Sequence, residues 1–61
     1  MEQKEMIELA KKAIEKNWDY DAVYYGDDLY GHEEDAEQVW DYIAECKLIG
    51  MVAFDEKYKA V

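Results

Sequence analysis

Residues 34–48, "EDAEQVWDYIAECKL", decide the fold. Their apolar residues recur every three or four positions, which is the period of a helix that buries one face. Acidic residues crowd the first turn, where they interact well with the positive end of the helix dipole, and Lys47 lies in the last turn. Gly50 suits the position just beyond a helix end, with Met51 placed for the accompanying hydrophobic contact. The pattern predicts a helix whose apolar stripe is Ala36, Val39, Trp40, Ile43 and Ala44.

Residues 3–17 show the same period and predict a second amphipathic helix. Asn17 predicts the end of this helix, because asparagine tolerates the left-handed conformation at a helix end. The apolar stripe of this helix, extended by Trp18, consists of Met6, Ile7, Leu9, Ala10, Ala13 and Ile14.

The remaining segments are short and favour strands. Residues 20–25 are aromatic and β-branched, which is typical of a strand, with an irregular helical turn as the alternative. Gly26 with Asp27-Asp28 indicates a turn. Residues 51–54 and 57–61 are predicted to pair as a hairpin, and a frayed tail is the alternative for 57–61. We expect one domain, residues 1–61, with an α+β fold of two helices packed on a short antiparallel sheet; a small three-helix bundle is the alternative.

Composition excludes several classes of function. A chain of 61 residues buries a thin core, and its single cysteine, Cys46, provides no disulfide framework. A lone free thiol fits a reducing compartment, so we expect a cytoplasmic protein, and no apolar run is long enough for a bilayer. Serine, threonine and arginine are absent, which excludes hydroxyl nucleophiles and guanidinium clamps on phosphate.

Acids near the only histidine, His32, raise the question of a metal site. An EF-hand loop beginning at Asp19 fails, because Tyr24 stands where glycine is needed and Tyr30 where the bidentate glutamate should be. Zinc sites need several cysteines or histidines, and the chain has one of each. The acidic surroundings of Cys46 disfavour a reactive thiolate. We therefore expect no metal, no cofactor and no enzymatic activity.

Negative charge is concentrated in one stretch of the chain. Residues 19–45 contain ten carboxylates and no lysine, whereas residues 1–18 sum to zero and residues 46–61 to +1, so that 0 − 10 + 1 gives the net charge of −9. A solubility device would scatter its acids, so this segregation favours a contact surface for a basic partner. The net negative charge argues against direct binding of nucleic acid or of an anionic membrane.

Tyrosines accompany these acids, and six are too many for so small a core. Exposed tyrosines are typical of binding hot spots and offer cation–π faces to lysine and arginine. The predicted partner-binding residues are Asp19, Asp21, Tyr24, Tyr25, Asp27, Asp28, Tyr30, Glu33, Glu34, Glu37, Asp41 and Glu45.

In size, acidity, tyrosine content and lack of cofactor motifs, the chain resembles the small acidic inhibitors that phages and mobile elements encode against restriction, CRISPR or repair enzymes. The resemblance is one of class and assigns no role to any single residue. It implies a non-enzymatic protein that mimics nucleic acid and blocks a basic site on a CRISPR effector or nuclease. A small acidic adaptor or homodimerising subunit is the alternative.

Overall fold

The computed structural model describes residues 1–26 and 29–60, and these residues form helices and no strand. The helices are α1 (Gln3–Glu15), α2 (Tyr20–Gly26), α3 (Glu33–Ile49) and α4 (Met51–Lys57). The predicted helices at 3–17 and 34–48 are present as α1 and α3. The α+β prediction is wrong, and the helical bundle is the nearer alternative, with one helix more than expected.

The central element is α3, which packs against α1, α2 and α4. Its buried stripe includes Ala36, Val39 and Ile43, as the period predicts, whereas Ala44 is exposed and lies outside it. Cys46 is also buried. One hydrophobic core draws side chains from every helix: Met6, Ile7, Leu9, Ala10, Ala13, Val23, Leu29, Ala36, Val39, Tyr42, Ile43, Cys46 and Phe54.

Asn17 ends α1 in the way the sequence predicts. Its φ is 56°, in the left-handed region. The Asn17 N–H donates to the Ile14 carbonyl at 3.1 Å, and the Trp18 N–H reaches back to the Ala13 carbonyl at 2.9 Å. This pair of bonds is the Schellman motif, which satisfies carbonyls that a helix end otherwise leaves without partners.

The segment 20–25, predicted as a strand, forms α2. The Asp19 carboxylate accepts a hydrogen bond from the Ala22 N–H at 2.9 Å and so caps the start of the helix. Val23 points into the core and is 1% exposed. A helix of seven residues is not stable alone, so packing against α3 overrides the strand-like composition.

The predicted hairpin of 51–54 with 57–61 is also wrong. Gly50, at φ 93°, separates α3 from α4, and its carbonyl accepts the Phe54 N–H at 3.0 Å. Phe54 is fully buried, and Met51 and Tyr58 pack against the core at helical spacing from it. Every third or fourth residue thus lies at least partly in the core, whereas a strand would place every second residue there. Residues 58–60 form a turn, and Val61 lies outside the described residues.

Candidate protein-binding surface

The exposed side of α3 begins with an acidic face, which consists of Glu33, Glu34, Glu37 and Asp41. Glu33, Glu37 and Asp41 are four residues apart, so they follow one side of the helix at intervals of about 6 Å. The salt bridges found among the described residues include none of these four carboxylates. Their charges face solvent and are available to a partner.

Five rings form a continuous aromatic cluster beside this face: Tyr20, Tyr24, Tyr25, Tyr30 and Trp40. Trp40 on α3 meets the edge of Tyr20 on α2 with ring centroids 5.6 Å apart, and Tyr20 stacks on Tyr24 at 6.3 Å. Tyr24, Tyr25 and Tyr30 contact one another at 4.8 to 5.8 Å. The rings pack on one another in this way, so the cluster presents a continuous aromatic surface.

Exposure within the cluster is uneven. Tyr25 and Tyr30 are 64% and 68% exposed, whereas Tyr24 and Trp40 are half-buried. The Tyr24 hydroxyl accepts the Gly31 N–H at 3.2 Å, which ties α2 to the turn before α3. Tyr24 therefore supports the cluster, and Tyr25 and Tyr30 are the rings that a partner would touch.

The acidic face and the aromatic cluster are contiguous. The pKa of Tyr20 is raised by partial loss of solvent, and next by the negative charges of Glu37 and Glu33, with smaller effects from Tyr24 and Asp21. Carboxylates from both α2 and α3 thus lie close enough to act on the Tyr20 ring. The result is an aromatic surface bordered by negative charge.

Glu45 has an internal role that its charge did not reveal. Its carboxylate accepts hydrogen bonds from the Lys57 ammonium and from the Tyr58 hydroxyl, the latter at 2.5 Å. The Lys57 hydrogen bond, followed by that of Tyr58, lowers the pKa of Glu45. This contact holds α4 against α3, so Glu45 is not counted in the acidic face.

The other predicted contact residues are distributed as follows. Asp19 is exposed, and its carboxylate is hydrogen-bonded at the start of α2. Asp21 is exposed in the first turn of α2. Asp27 and Asp28 lie outside the described residues. The structure therefore brings together the α3 acids, Asp21 and the tyrosines.

An open concavity of about 430 Å³ adjoins the start of α3, lined by Gly31, His32, Glu33, Glu34 and Asp35. Across residues 1–26 and 29–60, no group of three or more histidine, cysteine or acidic side chains is arranged to hold a metal ion. No helix in the same residues is long and apolar enough to cross a membrane.

Sequence reasoning missed Tyr20 and assigned Trp40 to the core alone. The spacing of Tyr20 and Tyr24 would place both rings on one side of a helix, but that signal is visible only if residues 20–26 are recognised as helical. It also missed Leu48 and Val52, which are apolar and yet 85% and 80% exposed.

Comparison with known proteins adds no relative: no family model, no curated protein and no solved structure matches this chain.

Proposed function

We propose that the protein binds a basic site on a nucleic-acid-binding protein, such as a nuclease or CRISPR effector, and thereby excludes the nucleic acid. It acts as a stoichiometric inhibitor without catalysis. The observation that supports this proposal is the contiguity of the acidic face with the aromatic cluster: Trp40, whose ring centroid lies 5.6 Å from that of Tyr20, stands between Glu37 and Asp41 on α3.

The charge density of the acidic face suits a groove that normally holds nucleic acid. Its four carboxylates span eight residue steps, or about 12 Å of helix, close to one charge per 4 Å, against one per roughly 3.4 Å along a DNA strand. A basic groove that neutralises phosphates at this axial charge density would therefore meet a similar density of carboxylates.

The aromatic cluster would add cation–π and apolar contacts to the ion pairs made by the acidic face. Lysine and arginine side chains that pair with Glu37 or Asp21 would also reach the faces of neighbouring rings, and cation–π contacts add to ion pairs. Tyr25 and Tyr30 offer large contact areas at little cost in side-chain entropy. The combination favours a basic protein groove over a purely ionic, non-specific contact.

The test is affinity capture from a lysate of the source organism with three forms of the full chain. These are the wild type, a face variant (Glu33→Lys, Glu37→Lys, Asp41→Lys) and a control variant with the same change in charge on and just before α1 (Glu2→Lys, Glu8→Lys, Glu15→Lys). We expect the wild type and the control to retain the same nucleic-acid-binding protein and the face variant to lose it. Retention should fall steeply between about 50 mM and about 500 mM salt, because salt screens exposed charges.

The recovered partner then allows a direct assay of mimicry. A labelled oligonucleotide bound to the partner should be displaced by the wild type and by the control variant, and not by the face variant. Equal capture by the face variant and the wild type would show that the acidic face is not the interface. Capture without displacement of the oligonucleotide would refute mimicry.

A further inference from the structure

The solvent side of α2 carries Asp21 and Tyr25. A helix turns by about 100° per residue, so these two positions lie about 40° apart and each about 160° from Val23. Val23 is buried in the core at 1% exposure, which directs the opposite side of α2 to solvent. Asp21 and Tyr25 are both exposed accordingly. We call these two residues the α2 pair.

The members of the α2 pair are neighbours, and both are accessible to a ligand. Residues four apart on a helix have Cβ atoms about 5–6 Å apart, so the ring and the carboxylate can contact the same group. The Tyr25 ring contacts Tyr24 and Tyr30, with centroids 4.8 and 5.5 Å away, yet it is still 64% exposed. Among residues 1–26 and 29–60, no salt bridge uses the Asp21 carboxylate.

This arrangement suits an arginine side chain better than a lysine side chain. A guanidinium group is planar and weakly hydrated, so it can lie flat on an aromatic ring while its edge donates hydrogen bonds to a carboxylate. A lysine ammonium is compact and strongly hydrated, so it gains less from the ring. The α2 pair provides both contacts that one guanidinium can make.

We propose that the α2 pair binds one arginine side chain of the basic partner, with the guanidinium stacked on Tyr25 and paired with Asp21. This inference deepens the proposed function and rests on it, because the arginine belongs to a site that otherwise holds nucleic acid. Arginine binds phosphate and carboxylate in the same bidentate geometry, so the Asp21 carboxylate takes the place of a phosphate. The acidic face pairs with lysine or arginine alike, and the α2 pair selects arginine at one position.

Two peptides of equal charge test this selection without the partner: pentalysine, and the same peptide with arginine at its central position. Each is titrated into the isotope-labelled full chain at about 50 mM salt, and its dissociation constant is measured from NMR chemical shifts. We expect the arginine peptide to bind about two- to fivefold more tightly, which is the increment of one exposed cation–π contact. The shifts that distinguish the two peptides should lie in α2.

Three variants locate the preference. Tyr25→Leu should bind both peptides equally, because the aromatic face is lost. Asp21→Asn should weaken binding of the arginine peptide more than that of pentalysine, whereas Glu37→Gln, which removes the same charge from the acidic face, should weaken both alike. Asp21 and Tyr25 are exposed, so their variants should keep the helical circular dichroism of the wild type. If Tyr25→Leu does not, Asp21→Asn decides the question.

The proposal is overturned by equal binding of the two peptides to the wild type, by a preference that persists in Tyr25→Leu, or by one that is lost in Glu37→Gln and kept in Asp21→Asn. These outcomes leave the capture and displacement of nucleic acid by the acidic face unaffected. Conversely, capture that yields no nucleic-acid-binding protein would refute the proposed function, and the peptide preference would still be measurable.

Discussion

Phe54 is the residue that attaches α4 to the rest of the protein. It is fully buried, whereas its neighbours on the helix are exposed or half-buried. Its ring lies 6.3 Å from that of Tyr42 on α3 and 4.8 Å from that of Tyr58. Because α4 has seven residues and no independent stability, its position depends on this packing.

Replacing Phe54 by alanine should therefore remove most of the stability of the domain. A buried phenylalanine changed to alanine costs about 3–5 kcal/mol, through lost burial and the cavity that remains. The whole domain has a free energy of unfolding of about 3–9 kcal/mol, from the usual 0.05–0.15 kcal/mol per residue. The cost is a large fraction of this free energy, so Phe54→Ala should be strongly destabilised, and it should be unfolded if the wild type lies at the lower end of the range. Phe54→Leu keeps most of the volume and should cost about 1–2 kcal/mol.

Urea denaturation followed by circular dichroism measures the effect. With a slope of about 1 kcal/mol per molar urea for so small a chain, Phe54→Ala should lower the midpoint by about 3–5 M or abolish the folded baseline. Ala53→Ser, at an exposed position of the same helix, is the control and should change stability by about 0.5 kcal/mol or less. If Phe54→Ala unfolds at the same urea concentration as the control, α4 does not depend on Phe54 and the packing argument fails.

Two further substitutions test the local structure. At Asn17, glycine should keep or slightly raise the stability, whereas valine should lower it by about 1–2 kcal/mol, because a β-branched residue is strained at positive φ; equal urea midpoints for the two variants would contradict this. The second substitution is at Glu45, whose pKa is lowered in the folded state by the hydrogen bond from Lys57. The ionised Glu45 carboxylate therefore stabilises the fold above its unfolded pKa of about 4.3, and this contribution is lost as the pH falls through the lower pKa of the folded state. The wild type should thus be more stable than Glu45→Gln at about pH 7 and lose this advantage at about pH 3, and a difference that persists in acid would contradict the assignment.

The longer helices could be predicted from the sequence because their periodicity extends over several turns. The stripe that includes Ala36, Val39 and Ile43 repeats often enough to exclude a strand, and Asn17 and Gly50 mark helix ends through backbone conformations that few residues adopt. The same period places Glu37 and Asp41 on the solvent side of α3, so the acidic face was predictable as well.

The role of individual acids was not predictable from charge. Asp19 and Glu45 belong to the same acidic stretch as Glu37, yet one caps α2 and the other bonds Lys57 and Tyr58. The partners of Glu45 lie twelve and thirteen residues away, so spacing along the chain does not reveal them. The partner of Asp19 is only three residues away, but the cap is visible only if residues 20–26 are recognised as helical.

The sequence by itself determined two amphipathic helices, a concentration of negative charge in the middle of the chain, and an acidic face on α3. Only the tertiary structure decided that residues 20–26 and 51–57 form helices, because their aromatic and β-branched content is typical of strands. Segments this short have no stable conformation of their own, so the conformation that buries the most apolar surface is adopted. The core formed by α1 and α3 takes in Val23 and Phe54 from helices, and it leaves Tyr25, Tyr30 and Leu48 on the surface.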